Sequence, residues 1–389
     1  MSIQVDNVNK SFPVIPSTAK LAILLPTIRW SPLSRSIIGS MIGIASEEIV
    51  VLIGDNSENE NKRIFLNQIK KINPYIFSVS HKNNIGSFKN ICFLHDWSKD
   101  LPYTAIMADD DWKSPGYHIS AYRFILDNPG VSCCSVGTSF IDIGDGNLIL
   151  INQPSMIGTN AFDRIQGWDP LAARMTMYNT SKRAHLDHAI EYHKKSPLHG
   201  TTLIENLWEL SRISQGDFYN ITGEDIYVHR PATRSLGHEQ SILSHNLLYK
   251  DAGIDFTFVH FSALSTAIQC AMFLKGSFSP IENLDERDRC AQHVFSEIFV
   301  KQFMPVVSAP SSKDIVDFLF KDKPSILEGF SSFCYNKNIE NTNFCFDLLN
   351  WFVEILEHFE SKKNKNYISI SNAFKDFALQ TLANDTEFC

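Results

Sequence analysis

Three consecutive carboxylates, Asp109-Asp110-Asp111, close an apolar run that begins at Tyr103 and ends at Ala108. Adjacent carboxylates at the end of a buried strand repel one another and lose solvation, so their ionised forms need a counter-charge. A divalent cation supplies one, and hard oxygen ligands suit Mg2+ or Mn2+. An ion held there could bridge to a diphosphate and neutralise charge developing on a leaving group. The competing reading is an acidic loop that caps the following helix. A second polar group, His229-Arg230-Pro231-Ala232-Thr233-Arg234, follows the last strand-like run of the first half. Arg230 and Arg234 can each present two parallel donors that match phosphate geometry, although a solvated loop explains the same composition. His238 as an extra metal ligand is outweighed by an ordinary structural role.

The elements that must position these residues alternate. Leu21 to Leu25 is a buried strand ending at Pro26, and Ser31-Pro32 opens a helix to about Ala45. Ile49 to Ile53 is a second strand, followed by the loop Gly54-Asp55-Asn56-Ser57. Residues 60–71 read as helix, Tyr75 to Val79 as strand, Ser87 to Trp97 as helix and Tyr103 to Ala108 as strand. Apolar strands separated by helices imply an α/β fold with a mainly parallel sheet covered on both faces. In such sheets ligands bind beyond the carboxyl ends of the strands, where Asp55 and Asp109 to Asp111 all fall. Val131 to Ile143 and Leu148 to Ile151 form a hairpin about Gly144-Asp145-Gly146-Asn147; residues 160–215 are mostly helical; Phe218 to His229 reads as strand, turn and strand. The expected domains are an extension over 1–18, a catalytic domain over 19–240 and a helical domain over 241–389, with Leu348, Phe352, Ile355, Leu356 and Phe359 on one helical stripe.

Composition narrows the class. The 389 residues are 44% hydrophobic and 20% charged, with a net charge of −8. That is a globular balance, and its sign argues against a nucleic-acid-coating role. The eight cysteines include no CxxC pair, so a zinc site has no spacing support and buried reduced thiols are the expectation. The first twenty residues lack a signal-peptide pattern, and no run reaches about 18 apolar residues. A cytoplasmic protein is expected, with peripheral contact at the inner face of a membrane left open.

Four motifs in order then carry a resemblance. They are Leu25-Pro26-Thr27-Ile28-Arg29, Gly54-Asp55-Asn56-Ser57, Asn83-Asn84-Ile85-Gly86-Ser87-Phe88-Lys89-Asn90 and Met107-Ala108-Asp109-Asp110-Asp111. Together they resemble the large inverting glycosyltransferase family with the GT-A fold, often called family 2, over residues 20–145 and more loosely over 146–240. The resemblance implies a nucleoside diphosphate sugar as donor, a UDP-sugar favoured, and a glycan or lipid-linked hydroxyl as acceptor. It implies Asp55 at the nucleobase or ribose, Asp109 at ribose or at the metal through water, and Asp111 as direct metal ligand. Pro26, Thr27, Arg29, Asn84, Gly86, Asn90 and Asp110 would shape the donor pocket, joined by Arg230 and Arg234. Turn and capping chemistry also accounts for the middle stretch, Gly86 by backbone freedom and Ser87 as N-cap.

Inverting transfer needs a base for the acceptor hydroxyl. The family's usual acidic pair beyond the Asp-x-Asp motif is absent, which leaves Glu205 as the candidate, Glu209 one turn later, and Asp169 as a weaker rival. An ordinary helix salt-bridge role is the stronger reading of Glu205, and more so of Glu209. Similarity through Leu207-Trp208-Glu209-Leu210 to bacterial surface-polysaccharide transferases is loose. The alternatives are a catalytically silent nucleotide-sugar-binding scaffold and a nucleotidyltransferase; Thr27-Ile28-Arg29-Trp30-Ser31 lacks the glycines that the latter's triphosphate loop needs. The C-terminal helices are expected to serve acceptor placement or self-association.

Overall fold

A computed structural model describes residues 12–151, 154–171, 178–198, 204–231, 261–307, 344–359 and 369–383. The described residues fall in two compact units. One lies within Met1–Ile157, Arg174–Asp187 and Gly216–Gly237, the other within Gly158–Ala173, His188–Gln215 and His238–Cys389. The division is therefore not a single cut in sequence.

The first unit is built on a nine-stranded mixed sheet. β1 (Leu21–Thr27) pairs in parallel with β2 (Ile49–Asp55) and β4 (Tyr103–Ile106), and β2 pairs in parallel with β3 (Ile76–Ser80). Almost every side chain of β1, β2 and β4 is buried, as expected of strands with helices on both faces. α1 (Pro32–Ser40) starts on a capping box between Ser31 and Ser34, with Pro32 at its first position. α2 (Glu60–Ile72) is capped by Asn59 and buries Lys62, Leu66 and Ile69, an i, i+4, i+7 stripe with a lysine in it. α3 (Ser87–Trp97) has Gly86 at its N-cap, at φ +84°, so the cap is a glycine and not Ser87; Ser87 is the first helical residue. α4 (Tyr117–Asp127) follows the two-residue strand β5 (Trp112–Lys113).

The rest of the sheet runs through β6 (Val131–Gly144), β7 (Asn147–Ile151), β8 (Thr180–Lys182) and β9 (Asp217–His229), in the order β3-β2-β1-β4-β8-β6-β9-β5 with β7 also on β6. The hairpin expected at Gly144 to Asn147 forms, with Asp145 and Gly146 both at positive φ. Phe218 to His229 differs from the expected strand, turn and strand: β9 is one strand parallel to β6, with a bulge between Ile221 and Ile226. Gly137 makes the bulge fit, since it sits at φ +71° and a Cβ there would stand 1.8 Å from the Asp225 carbonyl oxygen.

The second unit is helical, with α5 (Ala161–Gln166), α6 (Asp187–Lys195) and α7 (Ile204–Gln215) followed by helices over Phe261–Lys275, Leu284–Ile298, Phe344–Phe359 and Ile370–Ala383. Phe352 and Leu356 of the expected apolar stripe are buried. No described helix is long and apolar enough to cross a membrane. Cys92, Cys133, Cys134, Cys270 and Cys290 are free and buried.

Candidate functional site

Parallel registry brings the ends of β1, β2 and β4 level, so the loops holding Thr27, Asp55 and Asp109 meet at one edge of the sheet. Asp109 is turned into the protein. Its Oδ2 accepts from the Thr27 hydroxyl at 2.7 Å and from the main-chain N–H groups of Ile28 at 3.0 Å and Arg29 at 2.9 Å. Its Oδ1 accepts from Arg29 Nη1 at 2.7 Å. The other arm of the Arg29 guanidinium reaches Asp110 at 3.1 Å. Burial works against the Arg29 charge, but Asp110 and Asp109 outweigh it and raise the guanidinium's pKa above its ordinary value. Arg29 thus supplies a counter-charge to Asp109 and Asp110.

Asp55 is also enclosed. Its carboxylate accepts from Ser57 N at 2.9 Å and Ser80 Oγ at 3.2 Å, and it pairs with Lys62 Nζ at 3.1 Å, both side chains being fully buried. Lys62 Nζ also donates to Thr27 Oγ1 at 2.8 Å. One chain of bonds therefore runs Asp55–Lys62–Thr27–Asp109–Arg29–Asp110. Burial pushes the Lys62 pKa down, with Asp55 opposing. Pro26 precedes this junction at the end of β1. Lys62 escaped the sequence reading; the available signal was its place on the apolar stripe of α2.

The Asn84–Asn90 stretch locks onto the same edge. Asn84 Oδ1 accepts from Gly86 N at 2.9 Å, and Asn56 Nδ2 donates to Gly86 O at 3.1 Å. Asn90 Nδ2 donates to Gly54 O at 2.7 Å. A Cβ on Gly54 would lie 2.0 Å from Asn90 Oδ1, so the bare glycine leaves room for the Asn90 amide in this orientation.

Asp111, at 1% side-chain exposure, belongs to a second cluster. Its Oδ2 accepts from the Tyr227 hydroxyl at 2.8 Å and faces His229 Nδ1 at 3.1 Å, and its Oδ1 accepts from Arg230 N at 2.8 Å. Burial, then the Asp111 charge, lifts the Tyr227 pKa well above its ordinary value, so this phenol stays protonated and donates. The Arg230 guanidinium lies 3.7 Å from Asp142. Arg234 and His238 lie outside the described residues.

Among the described residues no three His, Cys, Asp or Glu side chains converge as a ligand cage. Mg2+ commonly binds through one or two carboxylates plus substrate phosphates instead. Asp111 fits that mode, since three donors leave its carboxylate one acceptor position, and Asp110, 12% exposed, is the least enclosed of the three. Asp109 carries four donors on its two oxygens.

Glu205 lies in the first turn of α7, in the second unit, and is partly buried. Glu209 is 1% exposed and accepts from Trp168 Nε1 at 2.8 Å. Asp169 pairs with Lys301 at 3.6 Å.

Comparison with solved structures decides the fold. S. aureus TarS 1–349, in complex with UDP-GlcNAc, superposes with a TM-score of 0.52 at 9% identity, over 92% of this chain and 90% of that one. The fold is GT-A-like. A second structure of TarS 1–349 gives 0.50 over 95% of this chain and 93% of that one, again at 9% identity. Against a longer TarS structure the chain spans 50% of the neighbour's length. A Pyrobaculum calidifontis mannosyltransferase, in complex with GDP-Man and Mn2+, gives 0.37 at 11% identity over 90% of this chain and 92% of that one. No family model and no curated sequence matches the chain. In this GT-A-like fold the four sequence motifs occupy neighbouring loops at the carboxyl edge of the sheet.

Proposed function

We propose that the chain is a glycosyltransferase that takes a nucleoside diphosphate sugar at the carboxyl ends of β1, β2 and β4 and passes the sugar to a hydroxyl acceptor. The observation that carries this reading is the bonded junction of Thr27, Arg29, Asp55, Lys62, Asp109 and Asp110, drawn from three strand-end loops and a helix of a GT-A-like fold. A UDP-sugar is the favoured donor, consistent with the UDP-GlcNAc in the TarS neighbour. Asp111 and Asp110 would hold a Mg2+ or Mn2+ brought in with the diphosphate. When bound, that ion would neutralise charge on the departing diphosphate.

The residues of the chain have three tasks. Asp55, Asn56 and Asn90 fix the loops that frame the nucleoside. Arg29 and Arg230 place guanidinium groups beside the two acidic clusters, where they are available to phosphate oxygens. Glu205 is the proposed base. It would take the acceptor's hydroxyl proton as that oxygen bonds the anomeric carbon and the bond to the diphosphate breaks, with inversion. The second unit, which carries Glu205, would place a glycan or lipid-linked acceptor.

A second reading, a nucleotide-sugar-binding protein without transfer, is favoured by the enclosure of Asp55 and Asp109 among protein donors. Chromatographic assay of nucleoside diphosphate release from a panel of nucleotide sugars separates the two. Release by the wild type and its loss in Glu205→Gln support transfer. Binding without release from any donor, with acceptor hydroxyls supplied, supports the second reading.

A further inference from the structure

Lys113 lies two residues beyond Asp111, on β5, and is 5% exposed. A buried ammonium needs compensation, and here three tyrosine rings contribute to it. Its Nζ stands 4.5 Å from the Tyr117 ring centre, 4.6 Å from that of Tyr227 and 6.0 Å from that of Tyr178. It also donates to the Tyr178 carbonyl oxygen. On its remaining side His118 Nε2 lies at 3.5 Å, while His118 Nδ1 faces the Thr180 hydroxyl at 3.1 Å. Burial, then the Lys113 charge, drives the His118 pKa well below its ordinary value, so the ring stays neutral beside the ammonium.

The walls of this cage lead to Asp111. Tyr227 gives its face to Lys113 and its hydroxyl to Asp111 Oδ2. The Tyr178 ring stacks on His229 at 6.2 Å and 29°, and His229 faces the same carboxylate oxygen. Two of the three groups around Asp111 are thus seated by rings that surround one cation, and the third is the Arg230 main chain.

We propose that Lys113 is a positioning residue for Asp111, its ammonium gathering Tyr227 and Tyr178 so that the Tyr227 hydroxyl and the His229 ring hold the carboxylate in one orientation. Lys113 does not touch the donor. The inference rests on the reading that Asp111 serves the donor's diphosphate. A methionine, unbranched and one atom shorter, would keep most of the packing and lose the charge that orients the rings. An arginine keeps the charge and stacks on aromatic faces.

The test measures UDP affinity by calorimetry, with Mn2+ and with EDTA, for wild type, Lys113→Met, Lys113→Arg and Tyr227→Phe, with circular dichroism to establish folding. Lys113→Met should weaken UDP binding in Mn2+ about tenfold and change it less than about twofold in EDTA. Lys113→Arg should restore most of the loss. The double variant K113M/Y227F should fall no further than the worse single variant, because both act on one unit. A folded Lys113→Met that binds like wild type in Mn2+ overturns the proposal, as does an equal loss in Mn2+ and EDTA. If the wild type gains nothing from Mn2+, the metal assignment fails by itself. The cage is then judged by the His229 Cε1–H resonance, which should move in Lys113→Met as it does in Tyr227→Phe; an unmoved resonance overturns the inference. Should Lys113→Met not fold, Tyr178→Leu, which removes one wall, is read in the same ways.

Discussion

Asp109 and Asp110 are neighbours in sequence and opposite in situation. Asp109, 3% exposed, accepts from a hydroxyl, two main-chain N–H groups and a guanidinium, whereas Asp110, 12% exposed, takes the other arm of Arg29. Removing a partner from a buried charged network costs far more than removing an exposed one. Asp109→Ala should therefore lose about 3–5 kcal/mol of stability in urea denaturation, and Asp110→Ala less than about 1 kcal/mol. Equal losses would contradict this division. The sequence made the acidic run legible because three carboxylates at a strand end are rare without a counter-charge. It could not reveal which of them turns inward, since that depends on Arg29, Thr27 and Lys62 arriving from other elements. Lys62 was legible in principle as a lysine at a core position of α2, whereas Lys113 is a buried lysine that follows exposed Trp112 on a two-residue strand. Neither belongs to a motif.

At the scale of elements, order and type followed from apolar runs and their punctuation. β1, β2 and β4 are short, apolar and bounded by polar loops, and their parallel registry follows from the intervening helices. β9 was harder. Thr222-Gly223-Glu224-Asp225 has turn composition, yet β6 continues beside it, so the extra residues become a bulge against Gly137. Gly137→Ala should then cost more than about 2 kcal/mol, because its φ is left-handed and its Cβ meets a carbonyl oxygen. Urea unfolding reads this directly, and a neutral outcome would show that β9 can separate from β6 there. Gly54→Ala should act differently. It collides with the Asn90 side chain, which can rotate, so nucleotide affinity should fall more than stability does.

At the scale of the molecule, the two units were only partly legible. Helical composition announced the C-terminal half, but not that α5 and the helix over Leu284–Ile298 belong to one unit, tied by Phe162 N to Glu286 at 2.9 Å and by Arg289 over the Phe162 ring. Such pairings leave no periodic trace in a single sequence. Acid should destabilise the fold as a whole. Burial lowers the pKa of His95, His118 and His293 below the ordinary 6.5. The unfolded chain then takes up protons near 6.5 that the folded chain refuses, so stability is full above that pH and falls as the pH drops toward the folded values. Urea midpoints at about pH 7.5 and about pH 5.5 should show the decline, at up to about 1.4 kcal/mol per pH unit for each histidine; a midpoint that rises on acidification would contradict it. The central claim, that the carboxyl edge of the first sheet holds a nucleoside diphosphate sugar through Asp111, is tested most directly by thermal shift. Wild type and Asp111→Asn are heated with a panel of nucleoside diphosphates and their sugars, with and without Mn2+. A ligand that binds only the folded state raises its stability in proportion to ln(1 + [L]/Kd). At least one uridine ligand should raise the wild-type Tm, more so with Mn2+, and the Mn2+ increment should vanish in Asp111→Asn. A wild-type Tm that no nucleotide moves, with or without the metal, would contradict the account.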